Sequence, residues 1–169
     1  MEFTHFDQAG NAWMVDVSGK EDTKREAVAQ GRIYMSRECY DKVVAGSMKK
    51  GDVLSVARIA GIMGAKRTEE LIPLCHKLNI TGLEVWFEMI DPAGDGKGED
   101  GQVDPRPYIK AFCKAGTTGK TGVEMEALTG VQISLLTIYD MCKAVDKRMV
   151  ISDVHLVSKH GGKSGDFYA

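Results

Sequence analysis

A chain of 169 residues with 43% apolar content can bury one hydrophobic core and is close to the usual single-domain size. Its 22 basic and 24 acidic residues leave a formal charge of −2, so no global field draws it to nucleic acid or an anionic membrane, and any anion site must be local. The opening MEFTHFDQAG lacks the pattern of a targeting peptide, no apolar run could span a bilayer, and Cys39, Cys75, Cys113 and Cys142 form no CxxC pair, so reduced thiols in a cytoplasm are expected.

In chain order, GRIYMS (31–36) has strand character. Ser36 can cap a short helix with Tyr40, Val43 and Val44 apolar and Gly46 as its stop. After the KKGD turn Asp52 can cap a second helix, where Val53, Val56, Ala57, Ala60 and Met63 recur at helical spacing and Arg58, Lys66 and Arg67 lie outside the stripe. Strict alternation then sets Leu83, Val85, Phe87 and Met89 against Glu84, Trp86 and Glu88, the pattern of a half-buried strand. The Gly, Asp and Pro of DPAGDGKGEDGQVDPRP (91–107) predict a mobile exterior hairpin loop, with PYIKAFCKAG (107–116) returning as the partner strand.

The longest helical signal starts beyond Thr121 and extends toward Val145, with Leu128, Val131, Leu135, Ile138, Cys142 and Val145 in one stripe. Met125, Ile133, Leu136 and Tyr139 widen that stripe beyond what one sheet covers, which points to a subunit interface. VISDVHLVS (150–158) alternates as a last strand, and KHGGKSGDFYA follows as a glycine-rich basic tail. Together these elements predict one α+β domain over residues 1–169, a ferredoxin-like antiparallel sheet with helices packed on one face.

Asp140 and Lys143 stand three apart on the long helix, so a carboxylate and an ammonium share one face and can exchange protons with a bound substrate. The same spacing also suits an ordinary surface ion pair, worth roughly 0.3–0.5 kcal/mol. GTTGKTG before that helix is not a phosphate-binding loop of the Walker type, because position 114 is Lys114 rather than glycine; GGKSGD fails likewise at Val157. Gly161, Gly162 and Gly165 nevertheless permit close backbone approach to a ligand, with Lys159 and Lys163 as phosphate-binding charges, unless the tail is simply solvated. Glu124 and Glu126 suit a helix start, Lys49 and Lys50 stand at a helix entrance where an anion could sit, and adjacent Cys75 and His76 lack chelating spacing.

The ordered stretches MVDVSGK (14–20), KGDV (50–53), ARIAGI and AKRT (57–62, 65–68), LIPLCH (71–76), GKTGVEMEALT (119–129), LTIYDMCKAV (136–145) and GGKSGDF (161–167) closely resemble the molybdenum cofactor biosynthesis protein C family of cyclic pyranopterin monophosphate synthases. The resemblance implies a homohexamer built as a trimer of dimers, with active sites at subunit interfaces. It implies conversion of 3′,8-cyclo-7,8-dihydro-GTP to cyclic pyranopterin monophosphate with release of pyrophosphate. It also implies catalytic roles for Asp140 and Lys143, and substrate contacts at Leu74, Cys75, His76, Met125 and Glu126; Lys50, Lys159 and Lys163, lysines from separate segments, are the fixed cations expected to hold the triphosphate. No resident metal or cofactor is implied, and magnesium would come only with the substrate's triphosphate. Lys77 stands where the family usually has proline after LCH, and the acidic 91–107 loop is longer than usual. A noncatalytic nucleotide- or RNA-binding module of the same fold would need exposed aromatics, for which Trp86, Phe87, Tyr108 and Phe112 are the candidates. A purely structural oligomer would leave Asp140 and the clustered lysines without a role.

Overall fold

A computed structural model describes residues 11–92, 106–163 and 165–169. Five strands, β1 (Thr23–Tyr34), β2 (Ile80–Ile90), β3 (Tyr108–Gly119), β4 (Val150–His160) and β5 (Phe167–Tyr168), form one sheet in the order β2-β3-β1-β4-β5. Every neighbouring pair is antiparallel. Among the described residues the full helices are α1 (Arg37–Val44), α2 (Val53–Ala65), α3 (Thr68–Leu71) and α4 (Glu124–Cys142). Strands β4-β1-β3-β2 joined through α2 and α4 form the split βαβ arrangement of a ferredoxin-like sandwich, with β5 added at one edge.

Small side chains on the sheet let α4 come close. Ala27, Ala29 and Ile33 of β1, and Ile109, Ala111, Cys113 and Ala115 of β3, are buried in one core with Val131, Leu135 and Ile138 of α4. The long-helix stripe read from the sequence is therefore the face that meets the sheet. Leu83, Phe87 and Met89 of β2 pack against the same core around fully enclosed Val85, as their alternation predicts. Ser36 caps α1 by accepting from the Cys39 amide at 3.3 Å, and Asp52 caps α2 by accepting from the Ser55 amide at 3.0 Å.

Several boundaries and phases differ from expectation. β1 begins at Thr23, eight residues before residue 31, because Lys24, Arg25 and Glu26 hide its alternation behind charge. The buried line of α2 runs through Val53, Ala57, Gly61, Gly64 and Ala65, while Val56 and Met63, expected inside, are exposed together with Ile59. Glycines rather than large apolar residues face α4 because the two helices touch almost backbone to backbone. Helix α4 stops at Cys142, three residues before Val145. The basic tail supplies β5, where Tyr168 lies edge-on to His160 at 5.2 Å and Asp166 is 3.2 Å from the His160 ring. Residues 93–105 of the expected mobile loop lie outside the described residues.

On the sheet face opposite the helices, Trp86 and Phe112 stack at 4.9 Å, and Tyr34 meets Tyr108 at 4.9 Å. Tyr108 and Phe112 are buried, and Phe87 packs into the helix-side core, so the candidate rings do not form the open platform that base stacking needs.

The tightest point between helices is Gly61. A methyl there would stand 2.9 Å from the Gly130 carbonyl oxygen and collide with the Ser134 hydroxyl, which itself donates to Gly130 at 2.8 Å. Overpacking of this kind costs about 1–3 kcal/mol, against roughly 1 kcal/mol gained in helix propensity. Gly61→Ala is therefore expected to lower the urea midpoint with little change in helix content by circular dichroism; an unchanged or higher midpoint would show that the helices separate without penalty.

Candidate active site

The expected site residues fall into two groups at opposite ends of α4. At its C-terminal end the Asp140 carboxylate accepts from Lys143 Nζ at 2.7 Å and from Lys50 Nζ at 3.1 Å, and Lys50 also donates to the Asp140 backbone carbonyl at 2.9 Å. The hydrogen bond from Lys143, followed by that from Lys50, holds the Asp140 carboxyl below its ordinary range, and Asp140 in turn raises Lys143. All three side chains are exposed, so the trio is a solvated cluster of one ionised carboxylate and two ammonium groups. The lysine at the helix entrance thus meets Asp140 and not only solvent or an isolated anion.

The second group surrounds the start of α4. A cavity of about 390 Å³ is lined by Leu74, Cys75, His76, Met125 and Glu126, together with Val15, Lys20 and Glu124. Segment 11–20 is tied across its mouth: the ring Nε2 of His76 lies 2.8 Å from the Val15 carbonyl, and Lys120 donates to the Ser18 carbonyl at 2.6 Å. Burial pushes the Cys75 thiol up, and the Glu126 carboxylate adds to it, so Cys75 is held as a neutral thiol.

Glu126 is the unusual member. It is 4% exposed, and burial raises its carboxyl to about 7, with the negative charges of Glu124 and Glu69 acting in the same direction. No side chain caps α4 at Val123, but Glu124 and Glu126 stand in its first turn as a helix start favours, and a hydrogen bond from the Glu126 backbone N–H lowers its carboxyl against the larger effect of burial. Glu124 accepts from Lys159 Nζ at 3.1 Å, which fastens β4 to the helix start.

Lys163 lines a neighbouring cavity of about 660 Å³ with Arg25, Gly162 and Lys20. Lys20 lines both cavities, so they adjoin at its side chain. Arg25 is fixed by donating to the Gly119 carbonyl at 2.9 Å and the Lys120 carbonyl at 3.2 Å. Gly162, at φ +88°, lies against that guanidinium where a Cβ would collide with it. Lys20 and Arg25 escaped the sequence reading: Lys20 ends a quoted motif, but Arg25 lies in the part of β1 whose charges concealed the strand.

Within one subunit Lys50, Lys159 and Lys163 are therefore not one cluster. Lys159 and Lys163 border the region at the start of α4, whereas Lys50 sits with Asp140, about 21 Å away at 1.5 Å per residue along the helix from Glu126. Among the described residues no three His, Cys, Asp or Glu side chains converge as a metal-binding group. No described helix is long and apolar enough to cross a membrane.

A ferredoxin-like sandwich carrying a cation-lined cleft, a carboxyl poised near neutrality and a separate Asp–Lys pair belongs to the class of small-molecule enzymes that move protons on an anionic substrate. The chain belongs to the MoaC family, which it matches over residues 14–162. It is similar to cyclic pyranopterin monophosphate synthases of Peptoclostridium acidaminophilum (53% identical over 99% of this chain and 97% of the relative) and Heliobacterium modesticaldum (55% over 97% and 95%). It is likewise similar to that of Desulfitobacterium hafniense, at 52% over 99% of this chain and 94% of the relative.

The raised carboxyl of Glu126 has a stability consequence. A folded-state value of about 7 against an ordinary 4.5 means that the folded protein holds this proton more tightly. That contribution is complete below about pH 4.5 and is lost as pH rises through about 7, a difference of about 3 kcal/mol. Glu126→Gln, which mimics the protonated acid, should match the parent near pH 4 and exceed it in stability at pH 8 when urea unfolding is measured at equal subunit concentration. Equal stabilities at both pH values would mean that burial does not raise the Glu126 carboxyl.

Proposed function

We propose that this chain is a cyclic pyranopterin monophosphate synthase, rearranging 3′,8-cyclo-7,8-dihydro-GTP into cyclic pyranopterin monophosphate with release of pyrophosphate in molybdenum cofactor biosynthesis. What carries this reading is the similarity to relatives of that name across nearly the whole length of both chains. The chemistry of the clefts agrees with it. The pterin-forming part of the substrate would occupy the cavity of Leu74, Cys75, His76, Met125 and Glu126, and its triphosphate would extend along Lys20, Arg25 and Lys163, with Lys159 reaching it only by leaving Glu124. Fixed cations stabilise the charge that develops as pyrophosphate leaves. Magnesium, where it takes part, would come with the triphosphate, and no resident cofactor is required. The protein would act in the cytoplasm.

Ring opening and pterin closure need groups that both give and take protons. Glu126 titrates near neutrality, which suits a general acid or base at cellular pH, and Lys143 and ionised Asp140 form a complementary pair. One substrate cannot span the roughly 21 Å between these groups along one helix, so we propose that two subunits complete each site. Met125 and Leu136, both exposed, share one outer line of α4 with Asp140 and Lys143. Val56, Ile59 and Met63 expose a similar strip on α2. A two-fold axis crossing α4 near Ile133, midway between Glu126 and Asp140, would bury these apolar residues and bring Asp140 of the partner subunit to Glu126. Three such dimers would form the homohexamer.

Purified protein incubated with 3′,8-cyclo-7,8-dihydro-GTP should release pyrophosphate and pterin product together, and Asp140→Asn should lower that rate by about 10²–10⁴-fold while leaving the oligomer intact. Tight binding without turnover by the parent would indicate a binding protein instead. When differently tagged Asp140→Asn and Glu126→Gln subunits are co-expressed, each inactive alone, about one quarter of parental activity should return, since half the dimers are mixed and each has one unmodified site. No recovery would put both groups in the same chain's site.

A further inference from the structure

Glu126 borders two cavities. Behind the one already described lies a second, of about 280 Å³, whose walls include Lys66, Glu69, Glu70, Lys77 and Ile80. His76, Leu78 and Glu126 line both, so they form the partition between them. The synthase cleft and the rear cavity therefore both border buried Glu126, and of the two only the rear one is lined by Glu69.

We propose that the rear cavity is the proton entrance to Glu126 and that Glu69 is the positioning residue within it, setting how readily Glu126 holds its proton. This deepens the reading of Glu126 as an acid–base group in the synthase site. A donor enclosed beneath a bound substrate needs another route to exchange its proton with solvent, and a cavity of about 280 Å³ on its other side, roomy enough for several waters, supplies one. Glu69 is suited to the role because its side chain is only 28% exposed, which limits the screening of its charge, while its partner Lys77, with Nζ 3.5 Å away, is 86% exposed and weakly held. Glu69 acts at Glu126 as a negative charge that raises its carboxyl.

The other charged groups around Glu126 define the background. Glu124, on the same helix, opposes its ionisation but is partly neutralised by Lys159 of β4. Lys20 from segment 11–20 and the neutral Cys75 thiol face the synthase cavity, as does His76, whose ring is tied to Val15. Lys66 at the end of α2 and Glu70 of α3 line the rear cavity with opposite charges.

The test reads Glu126 without substrate. The infrared carboxyl stretch of protonated Glu126, identified by its absence in Glu126→Gln, is titrated in the whole protein, in Glu69→Gln and in Lys77→Met. Removing the Glu69 charge should move the titration to lower pH by roughly half a unit, and removing Lys77, which frees that charge, should move it to higher pH. The pH profile of kcat should show a limb displaced in the same two directions, with little change in KM. An unmoved titration in Glu69→Gln, or no protonated carboxyl band near neutrality in the parent, overturns the proposal. Because the band is read without turnover, an inactive parent with the expected band shifts would instead fail the synthase assignment and leave the role of Glu69 standing.

Discussion

The structure depends on the close seating of α4. This 19-residue helix, about 28 Å long, is pressed into a sheet whose β1 and β3 offer alanines at the contact, and against α2 through glycine at Gly61 and Gly64. Dense packing along its middle leaves no freedom to slide or rotate, because any turn of the helix would drive Ile133 or Ser134 into the α2 backbone. Its two ends are therefore fixed relative to the sheet. Each end carries one group of chemically active side chains, so core packing sets the geometry of the chemistry.

Environment, more than residue type, separates the roles of the two carboxyls on that helix. Asp140 lies in solvent between two ammonium groups and stays ionised. Glu126 is buried and accepts no lysine, so desolvation favours its neutral form. Two acids on one helix are thus pushed in opposite directions, the condition under which one can donate a proton while the other stabilises positive charge. The lysines follow the same logic: Lys50 and Lys143 are committed to Asp140, whereas Lys20 and Lys163 line open space with the guanidinium of Arg25.

Most of the fold was legible in the sequence because burial imposes a period. The alternation of Leu83 through Met89 and the three-four steps from Leu128 to Cys142 both survive as buried faces. What escaped notice was packed by absence of side chain. Gly61 and Gly64 carry the inner line of α2, and a period search based on large apolar residues instead selects Val56 and Met63, which face outward. The N-terminal half of β1 was missed for a related reason: the charged run Lys24, Arg25 and Glu26 leads into buried Ala27 and Ala29, which are too small to stand out. The candidate site was legible residue by residue through motif resemblance, but its division was not, since a motif carries no distance. The neutral-range acidity of Glu126 was equally hidden, because two glutamates at a helix start read as favourable dipole partners until burial of the second is known.

That division bears on why an apolar stripe and a charged trio share one line of α4. Exposed in a lone subunit, the Asp140 cluster is screened by water and has little power over a bound substrate. On the proposed antiparallel pairing, burial of Met125 and Leu136 would exclude water from the same surface, lowering the local dielectric around Asp140 and Lys143 as it delivers them to the Glu126 cavity. Hydrophobic contact and catalytic electrostatics would then be consequences of one docking event. An isolated subunit would retain a well-folded cleft and cationic wall, yet lack the desolvated carboxylate–ammonium pair that proton transfer requires.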